Sequence, residues 1–343
     1  MEVKGDLCHD LLKSKKGSLA FDENRDYAKW SEEVKEKLYS LLGMDLMEAN
    51  SCPLSVDVES EEEKDGYTQI RFTFESEKGA VVPCYLLIPN DGKEKHPVAI
   101  TLQGHSSGFH NSVGIVKYDG DADYQETRGK FAVQAVKRGY VALAIEQRAM
   151  GERKTAQGYG GGVVMCTHLA VKAMQLGRTL LGERVWDVSK AIDALSFFEN
   201  RGLDLDKIVL TGNSGGGTAT FYASTYDDRI KISAPSCSFC SYDTSIMSIF
   251  HCPCNYLPGA MRYFEMGDLA CAIAPKKLVI IAGKEDKIFP IDGVRESYKT
   301  VEKIYKKAGV PENCRLVETP KAHWWCEDLV FDAIKEEAEK LGW

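Results

Sequence analysis

The stretch Thr211-Gly212-Asn213-Ser214-Gly215-Gly216-Gly217 decides how the rest of the chain is read. A short apolar run, Lys207 to Leu210, leads into it, and a small-residue segment, Thr218 to Ser224, leads out. Strand, sharp turn, helix is the context in which a G-x-S-x-G pattern becomes a nucleophile elbow. Such a turn forces the serine into a strained backbone conformation that lifts its hydroxyl clear of the sheet. Side chains two residues to either side would collide, so Gly212 and Gly216 are expected to be small for a steric reason.

Outward from the elbow, strands and helices alternate. Val98 to Leu102 is a continuous apolar run, as expected of a strand buried on both faces. A helix over Gly129 to Arg138 and a strand over Tyr140 to Ile145 follow. Next comes a long segment, Glu146 to Cys166, glycine-rich at Gly158 to Gly162. The helix expected over Leu180 to Glu199 carries Leu181, Val185, Val188, Ile192, Leu195 and Phe198 on one stripe. Beyond the elbow the pattern predicts a strand over Lys231 to Ala234, an irregular stretch Pro235 to Leu269, and a strand over Lys277 to Ala282. A helix over Gly293 to Ala308, a strand over Arg315 to Glu318 and a terminal helix from Glu327 complete it. This succession predicts an α/β fold with a mainly parallel central sheet and helices on both faces.

Upstream the signal differs. Tyr27, Trp30, Val34, Leu38 and Leu41 recur at helical spacing, and alternation over Thr68 to Phe74 and Val81 to Ile88 predicts antiparallel strands with Glu77-Lys78-Gly79 between them. Residues 1–80 therefore read as an N-terminal helical and β-hairpin extension, and residues 81–343 as the main domain, with 235–269 as a cap or pocket-lining insertion.

Composition narrows the function. The 343 residues are 44% hydrophobic and 27% charged, as in an ordinary globule. A net charge of -8 without a basic run disfavours nucleic acid as a partner. No apolar run approaches the ~20 residues of a membrane span, and the first residues lack the apolar core of a secretory signal. The expectation is a cytoplasmic protein with no membrane partner; homo-oligomerisation is left open. Eleven cysteines, an odd number scattered through the chain, suggest reduced core residues rather than a disulfide framework.

An isolated serine hydroxyl is a poor nucleophile, so the elbow predicts a downstream acid and then a histidine, each beyond the carboxyl end of a strand. The strand ending at Ala282 runs into Gly283-Lys284-Glu285-Asp286, where Asp286 and its neighbour Glu285 compete as the acid. Of the seven histidines, only His323 lies both after the acid and just beyond a last strand. Two N–H donors should face a developing oxyanion, and losing one typically costs about 3 to 4 kcal/mol of barrier. Gly215 supplies one; His105, after the strand Val98 to Leu102, is the candidate for the other, with Gly104 allowing the turn. Gly104 in that loop, Phe250, His251 and Tyr256 from the irregular stretch, and Trp324, beside His323, are candidate substrate contacts. Arg148 and Glu152 read as structural ion pairs.

The stretches LQGHSSG, AIEQRAMGER, LLGERVWDVSKAIDAL, TGNSGGG, IAPKKLVIIAGKEDKIFP and KAHWW together resemble α/β-hydrolases of the dienelactone hydrolase and acetyl xylan esterase-like group, from about Val81 onward. The resemblance implies the α/β-hydrolase fold and a serine hydrolase acting on a small-molecule carboxylic ester, with Ser214, Asp286 and His323 as a triad and no cofactor. Within that group the G-x-x-D spacing favours Asp286. One departure is the oxyanion loop, where the common His-Gly pair is Gln103-Gly104 and the imidazole moves to His105. A dienelactone-type hydrolase or a serine peptidase is the alternative. About ninety residues before the core are too few for a propeller of several ~45-residue blades, which disfavours the peptidase. A scaffold protein without activity would predict a broken triad. The cluster Cys237, Cys240, His251, Cys252 and Cys254 contains soft ligands for zinc, but its second pair lacks the usual two-residue gap, so no metal is expected.

Overall fold

The computed structural model describes residues 6–155 and 165–343. The glycine-rich run Gly158 to Gly162 lies outside them. Nine strands form one sheet: β1 (Val56–Lys64), β2 (Tyr67–Glu75), β3 (Val81–Pro89), β4 (His96–Leu102), β5 (Val141–Ile145), β6 (Leu203–Asn213), β7 (Ile230–Ser236), β8 (Lys277–Gly283) and β9 (Cys314–Thr319). Their spatial order is β1-β2-β3-β5-β4-β6-β7-β8-β9. The contacts β1–β2, β2–β3 and β3–β5 are antiparallel, and every pairing from β5 to β9 is parallel. The antiparallel hairpin is thus continuous with the parallel sheet.

Ten α-helices accompany the strands among the described residues: α1 (Leu7–Lys13), α2 (Tyr27–Leu42), α3 (Met44–Ala49), α4 (Asp121–Arg128), α5 (Phe131–Val136), α6 (Met165–Gln175), α7 (Leu180–Ala194), α8 (Gly215–Tyr226), α9 (Ile291–Lys307) and α10 (Glu327–Lys340). Period-2 side-chain alternation shows that helices cover both faces. Val98, Ile100, Ile208, Leu210, Leu278 and Ile280 share one apolar cluster with Val185 of α7, Phe221 of α8 and Val301 of α9. The residues between them, Ala99, Val209 and Val279, share the other with Phe131 of α5 and Phe331 of α10. That two-sided burial accounts for the unbroken apolar runs.

Helix α2 starts where the Asp26 carboxylate accepts the N–H of Lys29 at 2.8 Å, and it stops at Gly43, whose φ is 80°. Trp30, Val34, Leu38 and Leu42 form its buried stripe; Leu42 goes deeper than the expected Leu41. Two helices are shorter than the periodicity predicts. The first is α5, because Lys130 at φ 61° cannot belong to a helix. The second is α7, which tightens after Ala194 into a 3-10 turn over Leu195–Arg201. No helix of the described residues is long and apolar enough to cross a membrane.

Candidate active site

Parallel strands β4, β6 and β8 all end at one edge of the sheet, and their following loops converge there. Between the last residue of β6 and the first of α8, Ser214 has φ 55° and ψ -121°, a region that costs a non-glycine residue roughly 1–3 kcal/mol. The neighbours make the turn possible. A Cβ on Gly212 would lie 2.6 Å from the Leu102 carbonyl oxygen, and one on Gly216 would lie 2.1 Å from the same atom. The elbow is pressed against the end of β4, and only hydrogen fits.

Beyond β8, Asp286 turns its carboxylate inward while Glu285 is exposed. One oxygen accepts the N–H groups of Ile288 at 2.8 Å and Phe289 at 3.1 Å. The other lies 2.8 Å from His323 Nδ1. His323, in the loop after β9, places Nε2 2.7 Å from Ser214 Oγ. Its ring stacks on Phe289 with centroids 5.9 Å apart and planes 14° from parallel. Ser214, His323 and Asp286 are therefore brought together in one hydrogen-bonded chain. Such a chain can move the hydroxyl proton onto imidazole while the carboxylate holds the ring and balances its charge. Phe289 has no signature of its own, and only its place three residues after Asp286 could have drawn attention to it.

The loop after β4 lies directly over the elbow. A Cβ on Gly104 would be 3.2 Å from Ser214 Cβ, and one on Gly215 would be 3.0 Å from the His105 ring. Among the described residues, no backbone acceptor is found for the N–H of His105 or of Gly215. A buried carboxylate, Glu146, anchors this loop from below. It accepts from the Phe109 N–H at 3.2 Å, from Gln103 Nε2 at 3.2 Å and from the Glu152 N–H at 3.2 Å. Burial raises Glu146 to about 7, against those donors. Nothing in its sequence neighbourhood announces the role.

The remaining candidates separate. His251 is buried, 3.3 Å from Ser245 Oγ and edge-on to Phe289 with centroids 5.3 Å apart; burial pushes its imidazole below the ordinary range. Phe250 is 91% exposed, and Tyr256 packs on the main apolar cluster. The Trp324 ring lies under the Arg128 guanidinium at 5.2 Å. Arg148 pairs with Asp187 and Glu77, and Glu152 pairs with Arg71 and Lys117.

The cysteines and histidine weighed as zinc ligands, Cys237, Cys240, His251, Cys252 and Cys254, do not come together as one group among the described residues. Cys237 approaches the Trp324 carbonyl, Cys240 approaches Thr244, and His251 points elsewhere. Turn geometry separates them, since Cys237 sits at φ 48° directly after β7. Cys252 and Cys254 meet Cys166 and His105 instead, two residues that no local motif connects to them.

Comparison with known proteins agrees with this architecture. The profile of the Abhydrolase family matches residues 3–325, beginning well before Val81. The candidate hydrolase YtaP of Bacillus subtilis (strain 168) is 24% identical over 307 residues, covering 88% of this chain and 97% of its own. Among solved structures, a candidate acetyl xylan esterase (BF1801) of Bacteroides fragilis NCTC 9343 superposes with a TM-score of 0.75 at 18% identity, over 93% of this chain and 84% of its own. The glucuronoyl esterase from Solibacter usitatus gives 0.65 at 14% identity, over 95% and 97%. With its elbow, its mixed sheet and a profile match over most of its length, the chain belongs to the Abhydrolase family.

Proposed function

We propose that this protein is a serine esterase that cleaves short-acyl carboxylic esters, with acetylated carbohydrates as the favoured class, through an acyl-enzyme. The observation that carries the reading is the chain Ser214 Oγ to His323 Nε2 at 2.7 Å and His323 Nδ1 to Asp286 at 2.8 Å, set at a strained elbow. In this reaction Ser214 attacks the carbonyl carbon as His323 takes its proton, while Asp286 stays ionised and orients the ring. The N–H groups of Gly215 and His105 stabilise the oxyanion. His323 then protonates the departing alcohol and afterwards takes a proton from the water that releases the acid. The names of the solved neighbours, an acetyl xylan esterase candidate and a glucuronoyl esterase, support an ester of a sugar or uronic acid.

A panel of nitrophenyl acetate and longer acyl esters, acetylated xylo-oligosaccharides, uronic acid methyl esters and peptide amides tests the proposal. Acetyl esters are expected to turn over fastest, and Ser214→Ala is expected to lower kcat by roughly 10⁴–10⁶ with folding unchanged. Turnover of amides but no ester, or ester turnover that survives Ser214→Ala, would overturn it.

A further inference from the structure

Beside the elbow, outside the hydrogen-bonded chain, four soft-metal ligands converge. His105 Nε2 lies 3.4 Å from Cys166 Sγ and 3.3 Å from Cys254 Sγ, and Cys252 Sγ lies 3.2 Å from Cys254 Sγ. All four ligand atoms fall within 4.8 Å of one another. Tetrahedral zinc, with Zn–S near 2.3 Å and Zn–N near 2.0–2.1 Å, requires sulfurs about 3.8 Å apart and sulfur-to-nitrogen distances of about 3.6 Å. The three close distances fall short of these values by about 0.6 Å or less, and the remaining pairs lie within 4.8 Å, so a small adjustment of the side chains encloses the ion. None of the cysteines is in a disulfide.

Charge supports the same conclusion. Arg184 is among the largest fully buried side chains. Among the described residues its guanidinium bonds only to the Arg148 carbonyl oxygen, at 2.8 Å and 3.2 Å, and to Cys166 Sγ at 3.2 Å, with no carboxylate partner. A buried cation in that position needs an anion. Three thiolates and a neutral imidazole around a divalent ion sum to one negative charge, which Arg184 balances.

We propose that His105, Cys166, Cys252 and Cys254 form a closed Cys3His zinc site. With four protein ligands there is no open position for water or substrate, so the ion holds structure rather than polarising a carbonyl. What it holds is specific: the loop after β4, the start of α6 and the 3-10 turn Pro253–Asn255. The His105 ring packs on Gly215, so the ion fixes the residue that follows the nucleophile. His105 is thereby a positioning residue through its side chain, whatever its N–H contributes.

Elemental analysis of the full-length protein, expressed with zinc in the medium and desalted over a chelating resin, tests the site independently of any activity. Stoichiometric zinc is expected, released by a mercurial thiol reagent. Cobalt exchanged into the protein should show intense thiolate-to-cobalt charge-transfer absorption. Cys252→Ser and Cys254→Ser should lose the zinc, whereas Cys240→Ser, outside the cluster, should keep it. If a ligand variant fails to fold, the cobalt spectrum of the wild type decides. Folded wild type with substoichiometric zinc and no charge-transfer band overturns the site. So does zinc that survives Cys252→Ser, or a disulfide joining any two of these cysteines in protein purified under reducing conditions.

Discussion

Glu146 is a carboxylate that folding must desolvate, and the sign of that penalty can be read in solution. Its folded value is raised to about 7 by burial, from an ordinary value of 4.5. Between those two pH values the folded protein keeps a proton that the unfolded chain has released. Stability from this group is therefore fully present below pH 4.5 and is lost as pH rises through 7, by about 3 kcal/mol. Glu146→Gln does not titrate. The stability of wild type minus that of Glu146→Gln, from urea unfolding, is expected to be greater at pH 4.5 than at pH 8 by that amount. A difference that stays flat across the window would show that the carboxylate ionises as freely in the fold as out of it. Ser214, Asp286 and His323 are legible because each lies just past a strand end, and the strands before Ser214 and Asp286 contain unbroken apolar runs. Glu146 has the same address, immediately after β5, but carries no pattern that separates an anchoring carboxylate from a solvated one.

At the scale of elements, the turn from β6 into α8 inverts an ordinary rule. Alanine in a helix is favoured over glycine by about 1 kcal/mol, so Gly216→Ala would normally stabilise. Here the new Cβ would meet the Leu102 carbonyl oxygen at 2.1 Å and the Gln103 carbonyl oxygen at 2.6 Å, both backbone atoms that cannot swing away. Overpacking of that kind costs roughly 1–3 kcal/mol or more and outweighs the propensity gain. Gly216→Ala should melt several degrees below wild type and lose ester turnover. A variant that melts higher would mean that the elbow is not packed against β4. The same helix explains what the pattern concealed: every residue from Gly215 to Thr225 is buried, so α8 has no polar face to give it a period. The opposite holds for α4, where only Asp121 and Gln125 are buried and the apolar stripe is missing. Amphipathic α7 stood out between these extremes.

The whole molecule is joined across its antiparallel and parallel halves by buried charge. Asp187 of α7 accepts from Arg148 at 2.9 Å, from Arg153 at 2.6 Å and from Ser76, in the β2–β3 turn, at 2.6 Å. Glu77, the next residue of that turn, pairs with both Arg148 and Arg178. Such long-range meetings have no local signature, and the cysteine cluster shows the same limit, since Cys166 lies 61 residues from His105 and Cys254 lies 149 away. Burial alone would raise the Asp187 carboxyl, but the charges of Arg148 and Arg153 outweigh it and hold the group at about 2. Its stabilisation is present above pH 3.8 and is lost as pH falls toward 2. Asp187→Asn keeps the shape but leaves two guanidinium groups without their shared anion, a loss expected to cost about 3–5 kcal/mol at pH 7. Because the network ties the hairpin to the core, tryptophan fluorescence and far-ultraviolet circular dichroism should report one coincident unfolding transition in both proteins, displaced to lower denaturant in the variant. The gap between them should narrow in acid as the wild-type carboxyl takes up its proton. Separate transitions for the two probes, or a gap unchanged between pH 5 and pH 2, would show that the two halves of the sheet are not held together by this anion.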